Sequence, residues 1–275
     1  MTTYAEVIQD STSLGVRLTT LKLEFPMTLM REFNTHRVFS RNASSSRAIP
    51  VATMLKEVMD NPVIPIYWGK NQKGMQSFEE VSEEVKAKAL KSWLEARDFA
   101  VQKAKELSDL GIHKQYANLL LDPFTWIRVV VTATDWDNFF HLRLDKGAKP
   151  EMRDLAEKML AAMEASTPVE RPVVKYGDID DQECWHLPFI SQEERNTIQA
   201  KDLLEMSTAR CARTSYNKHD GEKPLLEDDV RLFNTLLKEQ PQHASPAEHP
   251  ACFVDPDKRF ANFQGWVSLR HSMGL

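Results

Sequence analysis

Between Asn34 and Pro50 the chain reads NTHRVFSRNASSSRAIP, with one histidine, three arginines and four serines in one short run. Neither regular element accommodates it well. Serine and asparagine side chains compete with helical backbone bonds, and no apolar–polar alternation marks a strand. Residues 38–49 are therefore expected as loop, with the neighbouring elements arranged around it. Arg31 to Arg47 carry four arginines against one glutamate, a local balance of +3, in a chain whose formal net charge is −5. Such an acidic chain is a poor general nucleic-acid binder, because phosphate backbones are held by a lysine and arginine surplus. The run therefore points to a local anion site. Arg47 can grip a phosphate through two parallel donors, with serine hydroxyls and loop N–H groups completing a cradle. Read alone, the run is more readily a solvated serine-rich loop whose arginines pair with surface acids.

The 275 residues are long enough for ample core, and 42% hydrophobic with 27% charged residues is an ordinary globular balance. One domain over 1–275 is expected. No apolar run approaches the roughly 18 residues of a membrane span, and MTTYAEVIQDSTSLG shows no signal-peptide pattern. Three cysteines, Cys184, Cys211 and Cys252, lack C-x-x-C spacing, which favours a reducing, cytoplasmic setting over a disulfide frame.

Residues 17–25 alternate as a strand, and Pro26 heads a helix through Arg37. VATMLKEVMD reads as a short helix. The clearest helix runs from about Phe78 to Leu110, with Ser77 and Glu80 as a capping box and Gly111 as its stop. Its stripe of Val81, Val85, Ala89, Trp93, Ala96, Ala100, Ala104 and Leu107 is expected to pack as core. HKQYANLLL is read as helix, and TWIRVVVTAT as a buried strand. DWDNFFHLRLD returns to helix, capped by Thr134 or Asp135. Pro150 starts another helix. A long surface connection follows Ser166. AKDLLEMSTARCARTSY and LEDDVRLFNTLLKEQ are two further helices, and two short strands close the chain near ACFVD and FQGWVSLR.

Metal and hydrolase chemistries find little support. His243 and His249 are six apart with Pro246 between them, not the i, i+4 pair of a helical zinc site, so no metal is expected. There is no G-x-S-x-G elbow, and the glycine-rich nucleotide signatures are absent.

HRVFSRNASSSR resembles the signature of the flavin-dependent thymidylate synthases: Arg-His-Arg, seven residues, then Ser, usually with a following Arg. His36, Arg37, Ser45 and Arg47 match. A second block, WDNFFHLRLDKGAKPEMRDLA, is similar to the family's N-F-L-x-L-R … A-Q-x-E-I-R helix pair through Asn138, Phe139, Leu142, Arg143, Ala148, Glu151 and Arg153. A third, ARCARTSY followed by HASPAEHPACF, is similar to A-A-R-x-x-Y … H-x-S-P-x-E-H through His243, Ser245, Pro246, Glu248 and His249. In the family this third block comes first. Here it comes last, so the sequence resembles a circular permutation. Residues 51–112 and 167–204 find no counterpart.

The resemblance implies an α+β fold, with mixed helices around an antiparallel sheet, and a homotetramer with sites between subunits. It implies FAD as cofactor, NADPH and methylene-tetrahydrofolate as co-substrates, and one-carbon transfer to C5 of dUMP without a cysteine nucleophile. By matching position, His36, Arg37, His141, Ser245 and Glu248 would contact FAD. Ser45 and Arg47 would bind the nucleotide phosphate, with Ser45 and Arg143 at the catalytic centre. Arg143 would face the uracil and flavin, and Glu32 would contact substrate at a position that is usually Gln. His141 and Arg143 lie two apart, roughly 200° around a helix, so each needs a different partner group. The chain also departs from the pattern. Thr35 replaces the first Arg of Arg-His-Arg, Ala43 a usual acidic residue, Ala48 a usual Tyr, Lys149 a Gln, Gly147 a His and Asn118 an Arg. These changes leave open a related reaction, such as hydroxymethylation of a pyrimidine nucleotide, or flavin and nucleotide binding without catalysis.

Overall fold

The computed structural model describes residues 2–175, 181–214 and 224–275. β1 (Tyr4–Ser13) and β2 (Val16–Pro26) form an antiparallel hairpin. The alternation over 17–25 gives β2. β1 lacks that alternation because its register shifts between Val7 and Gln9, and a bulge breaks the period of two. After Pro26 come a single 3-10 turn and α1 (Met30–Phe33), much shorter than the helix expected through Arg37. β3 (Ser40–Ala43) lies inside the run expected as loop; its four residues are held by pairing with a later strand, not by their own pattern.

α2 (Val51–Asp60) lies where the sequence places it. α3 (Glu83–Asp109) starts later than expected, with Ser82 as the cap in place of Ser77, and stops at Gly111, whose φ of +78° suits glycine. α4 (Lys114–Ala117) passes into a 3-10 stretch, Asn118–Phe124, and then into β4 (Trp126–Ala133). α5 (Asp137–Arg143) has Trp136 at its cap without a side-chain bond, so neither Thr134 nor Asp135 caps it. α6 (Pro150–Glu164) opens on proline as expected. β5 (Val169–Glu170) completes a five-stranded sheet in the order β3-β4-β2-β1-β5, antiparallel except where β5 joins β1.

The two faces of this sheet have different fates. Leu21, Leu23 and Phe25 of β2 pair with Val131, Val129 and Ile127 of β4. They bury against Phe139 of α5 and Met152, Leu155 and Met159 of α6. On the opposite face Leu18, Thr20 and Thr132 are fully buried, although two of the three carry hydroxyls. What covers them comes from the end of the chain. β6 (Trp185–His186) belongs to a second, three-stranded sheet ordered β10-β7-β6. α7 (Gln192–Thr197), which the sequence reading lacks, is set by a Ser191–Glu194 capping box. α8 (Ala200–Ala212) and α9 (Leu226–Leu237) pack together beside that sheet. β7 (Ala251–Phe253), β8 (Arg259–Phe260), β9 (Phe263–Gln264), β10 (Trp266–Ser268) and the turn α10 (Leu269–Ser272) close the chain. Residues 176–180 of the expected surface connection and 215–216 of the expected helix lie outside the described residues. The rest of that connection is not all surface, since Cys184, Trp185 and His186 are buried.

The stripe on α3 corrects the sequence reading. Only Ala104 is fully buried, where the C-terminal half meets Met54 and Val58 of α2. Trp93 is half-buried and donates its Nε1–H to the Val63 carbonyl at 2.8 Å. Val85 is 46% exposed and Phe99 62% exposed, although both lie on this long helix. Among the described residues no helix is long and apolar enough to cross a membrane.

α7, α8 and α9 are tied by buried charge. Arg210 donates to both Glu194 oxygens, at 2.9 and 3.0 Å, and to Asp229 at 2.9 Å; Arg213 reaches Asp229 at 2.8 Å. Asp229 has no exposure, so its removal takes the shared carboxylate from two guanidinium groups, of which buried Arg210 keeps only Glu194. Asp229→Ala is expected to destabilise the fold by about 3–5 kcal/mol, read as a lower midpoint in urea denaturation. A midpoint within error of the parent would contradict this account.

Candidate functional site

The sheet and α5 bring Glu32, His36 and Arg143 together from positions more than a hundred residues apart. The turn after α1 is fixed by backbone bonds from Thr35 and His36 to Glu32 and Phe33. It drives His36 into an aromatic wall. Its ring stacks on Phe39 with centroids 5.7 Å apart and meets Phe139 edge-on at 4.9 Å. Arg143, at the end of α5, spends its whole guanidinium here. Nε donates to His36 Nε2 at 3.0 Å, one terminal nitrogen pairs with Glu32, and the other reaches Thr35 Oγ1 at 3.3 Å. Because His36 Nε2 accepts, the neutral ring carries its proton on Nδ1. Burial, with Arg143 and Arg41 adding to it, lowers the His36 pKa to about 4. His36 is thus an uncharged wedge that orients Arg143.

Arg41 extends the site towards the C-terminal segment. It donates to the His36 carbonyl at 2.7 Å and lies within electrostatic reach of Glu248. Glu248 closes the 3-10 turn Ser245–Glu248 and pairs with Arg270. Ser40, Glu248, Asn262, Arg270 and His271 line a cavity of about 290 Å³. The Asn262 amide donates to Ser40 Oγ at 3.1 Å, joining the last hairpin to β3.

The serine loop beyond β3 is pinned by groups the sequence does not advertise. Ser44 N–H bonds the Arg128 carbonyl at 2.8 Å, and Ala48 N–H bonds the Ser45 carbonyl at 2.9 Å. The buried Asn118 amide donates to the Ser46 and Ile49 carbonyls at 2.8 and 3.0 Å, and Lys114 to the Ala48 carbonyl at 2.8 Å. Three loop carbonyls are thereby turned inward. Ser45 is half-buried and Arg47 exposed at the loop tip.

Of the residues singled out from sequence, Glu32, His36 and Arg143 form one contact cluster, and Glu248 joins it through Arg41. Arg37 and His141 are exposed beside the aromatic wall's helix and turn, and Ser245 is exposed on its own turn. His249 is wholly buried between Thr132 and Asn42. Arg41, Asn118 and Arg270 are the residues missed. Arg41 was visible inside the arginine–serine run, and Asn118 only as a departure from the family pattern. Arg270, in SLRHS, carries no signal.

Cys184, Cys211 and Cys252 are buried, and burial raises the Cys211 thiol well above its ordinary value. Among the described residues no three His, Cys, Asp or Glu side chains gather as a metal site.

His36 binds its proton less readily folded than unfolded, so it contributes stability above pH 6.5 that is lost as the pH falls from about 6.5 towards 4. Buried His249, lowered to about 3 by burial, adds in the same direction. A histidine-resolved NMR titration should place the His36 midpoint near 4. A midpoint at the ordinary value near 6.5 would mean that the ring is not held as described.

The pattern of the thymidylate synthase complementing protein family (Thy1) matches residues 14–169. None of the curated proteins compared with the chain matches it. Similar solved structures include a UMP/dUMP methylase, PolB, from Streptomyces cacaoi, bound with 5-Br dUMP and with 5-Br UMP. The first is 16% identical with a TM-score of 0.49, covering 58% of this chain and 89% of that one. The second is 18% identical with a TM-score of 0.48, covering 58% and 88%. The family match runs from the β1–β2 turn to β5, through the arginine–serine run and the α5–α6 pair: the chain belongs to the thymidylate synthase complementing protein family.

Proposed function

We propose that the protein transfers a one-carbon unit from methylene-tetrahydrofolate to C5 of dUMP, with FAD as cofactor and NADPH as reductant. The observation that carries this reading is the Glu32–Arg143–His36 cluster, a half-buried guanidinium held by three partners, in a chain whose β3 leads on to a pinned, arginine-tipped loop. The UMP/dUMP methylase named above was solved with pyrimidine nucleotide analogues, and it is the loop and the fixed cation here that support the same class of ligand.

The donor set suits a flavin. Arg37 is an exposed cation for a diphosphate, set beside the wall of His36, Phe39 and Phe139, and Ser245, His141 and Glu248 add hydrogen-bonding groups within the neighbouring turns. When bound, reduced flavin supplies the hydride equivalents of the reaction. The chain's own residues do the rest. Ser45 and Arg47, with loop N–H groups, take the nucleotide phosphate. Arg143 stabilises negative charge developing on the pyrimidine, since a preorganised cation needs no reorganisation when that charge appears. Glu32 shares that cation and presents a carboxylate to the base. His36 stays neutral at neutral pH and holds Arg143 in place; it is not the proton donor. No cysteine nucleophile is needed, which accords with three buried thiols.

The reading carries a homotetramer with sites between copies. The exposed apolar residues Val85, Phe99 and Leu110 along and beyond α3 are surface that such an assembly would cover.

The deciding experiment mixes the protein with FAD, NADPH, methylene-tetrahydrofolate and labelled dUMP. Thymidylate is expected, and the gene should rescue a thymidine-requiring strain. A product one oxygen heavier would replace methylation by hydroxymethylation, and bound flavin without turnover under any reductant would leave only a binding protein. Arg47→Ala is expected to weaken dUMP binding by about tenfold in calorimetry, and unchanged affinity would remove Arg47 from the phosphate site.

A further inference from the structure

Five side-chain hydrogen bonds run in series through the buried seam between the two larger sheets. Ser11 Oγ meets His186 Nδ1 at 2.9 Å, and His186 Nε2 meets Thr20 Oγ1 at 2.7 Å. Thr20 Oγ1 meets Thr132 Oγ1 at 2.6 Å, and Thr132 Oγ1 meets His249 Nδ1 at 2.8 Å. His249 Nε2 then meets Asn42 Oδ1 at 3.4 Å. Ser11, Thr20, Thr132, His186 and His249 are 0% exposed and Asn42 is 8% exposed. The series draws on β1, β2, β3, β4, β6 and the turn before β7.

Donor accounting fixes its direction. A carbonyl oxygen on Asn42 can only accept, so His249 Nε2 must carry the proton, and a neutral His249 then has a bare Nδ1. Thr132 must give its one hydroxyl proton to that nitrogen, so it can only accept from Thr20. Thr20 in turn accepts from His186 Nε2–H, and His186 Nδ1 accepts from Ser11. Each of the four inner groups donates once and accepts once. Turning the Asn42 amide over would reverse all five bonds together and move both imidazole protons to Nδ1. A mixed arrangement of neutral rings either sets two lone pairs face to face between the threonines or makes one threonine accept twice and leaves its own proton without a partner in the series, in a place water does not reach. Burial holds both rings uncharged, and Arg171 and Arg195 near His186 act in the same sense.

We propose that His186 and His249 are positioning residues of the candidate site. Their shared tautomer, passed through Thr20 and Thr132, sets the orientation of the Asn42 amide and with it the end of β3 from which the Ser44–Arg47 loop departs. His186 lies outside both the family match and the blocks of resemblance. The tautomer half of the inference is a property of the fold, and only its effect on nucleotide binding rests on the proposed function.

Long-range proton–nitrogen NMR on the ¹⁵N-labelled full chain reads both rings directly. The expected result is two neutral imidazoles of the same kind, both protonated at Nε2. Thr132→Val, which keeps the side chain's shape, should free the tautomer of His186 from that of His249 and weaken dUMP binding about fivefold in calorimetry. Thr132→Ser should restore both properties. Should Thr132→Val fail to fold, Thr20→Val cuts the series one bond away and carries the same expectation. Opposite tautomers on the two rings in the parent protein would overturn the inference. So would a folded cut variant with both tautomers and dUMP affinity unchanged, or one whose lost affinity is not recovered by serine. A parent protein that binds no dUMP at all would count against the proposed function, while the tautomer result would still decide the series.

Discussion

Thr20 and Thr132 face each other on neighbouring strands at the one end of the sheet where the second face is covered. Two hydroxyls there cannot be left to water, and an unpaired buried hydroxyl costs on the order of 1–3 kcal/mol. This constraint dictates what may lie above them. A purely apolar cover would leave both hydroxyls with only each other, so the covering elements bring an imidazole from each side, His186 from β6 and His249 from the turn before β7. Further along the same strands the face carries Lys22, Glu24 and Arg128, and it stays open. One face of β2 and β4 thus changes from wet to dry within a few residues.

The same covering turn delivers Glu248, one residue before His249, to the mouth of the site. Burial of His249 and presentation of Glu248 are two consequences of one packing event. On the other side of β3, His36 stands between the apolar core and Arg143. Its ring is bound to Phe39 and Phe139 by packing and to Arg143 by a hydrogen bond. The position of the guanidinium therefore inherits the rigidity of the core, and a half-buried cation on a short helix end is held as firmly as a core residue.

Much of this was legible in the sequence where the pattern is local. β2, β4, α2, α6 and the last strands follow from alternation, β-branched content, proline and helical spacing, and of the α6 stripe of Met152, Leu155, Ala156, Met159, Leu160 and Met163 all but half-buried Leu160 are buried. What could not be read depends on partners far along the chain. β3 is a strand because β4 lies beside it, and its own residues, Ser-Arg-Asn-Ala, give no hint. The α3 stripe has helical spacing, but spacing cannot say whether another element will lie across it. For the site, the motif blocks supply Glu32, His36, Arg143 and Glu248, three of which meet directly. Motif matching could not supply Arg41, Asn118, Arg270 or His186, whose roles are to hold carbonyls, carboxylates and tautomers in place.

The departures from the family pattern make physical sense together. Thr35 removes a guanidinium, Glu32 adds a carboxylate where glutamine is usual, and Ala43 removes a usual acid, so the three exchanges together lower the local charge by one. Taken singly, the loss of an arginine beside the proposed flavin site looks damaging. In this chain, however, Arg143 already uses every nitrogen, one of them on Thr35 itself. A second guanidinium at position 35 would sit against Arg143 with Glu32 as their shared acid and no hydroxyl for the third nitrogen. Glu32 and Thr35 are therefore best understood as one coupled change. A neutral amide and a second cation are exchanged for a carboxylate and a small hydroxyl, and Arg143 is left as the single fixed positive charge of this cluster. The remaining positive potential moves to Arg41 and Arg270, on either side of Glu248. On the proposed function, flavin phosphates meet a different set of cations from those the family pattern specifies, and the charge proposed to face the pyrimidine is kept.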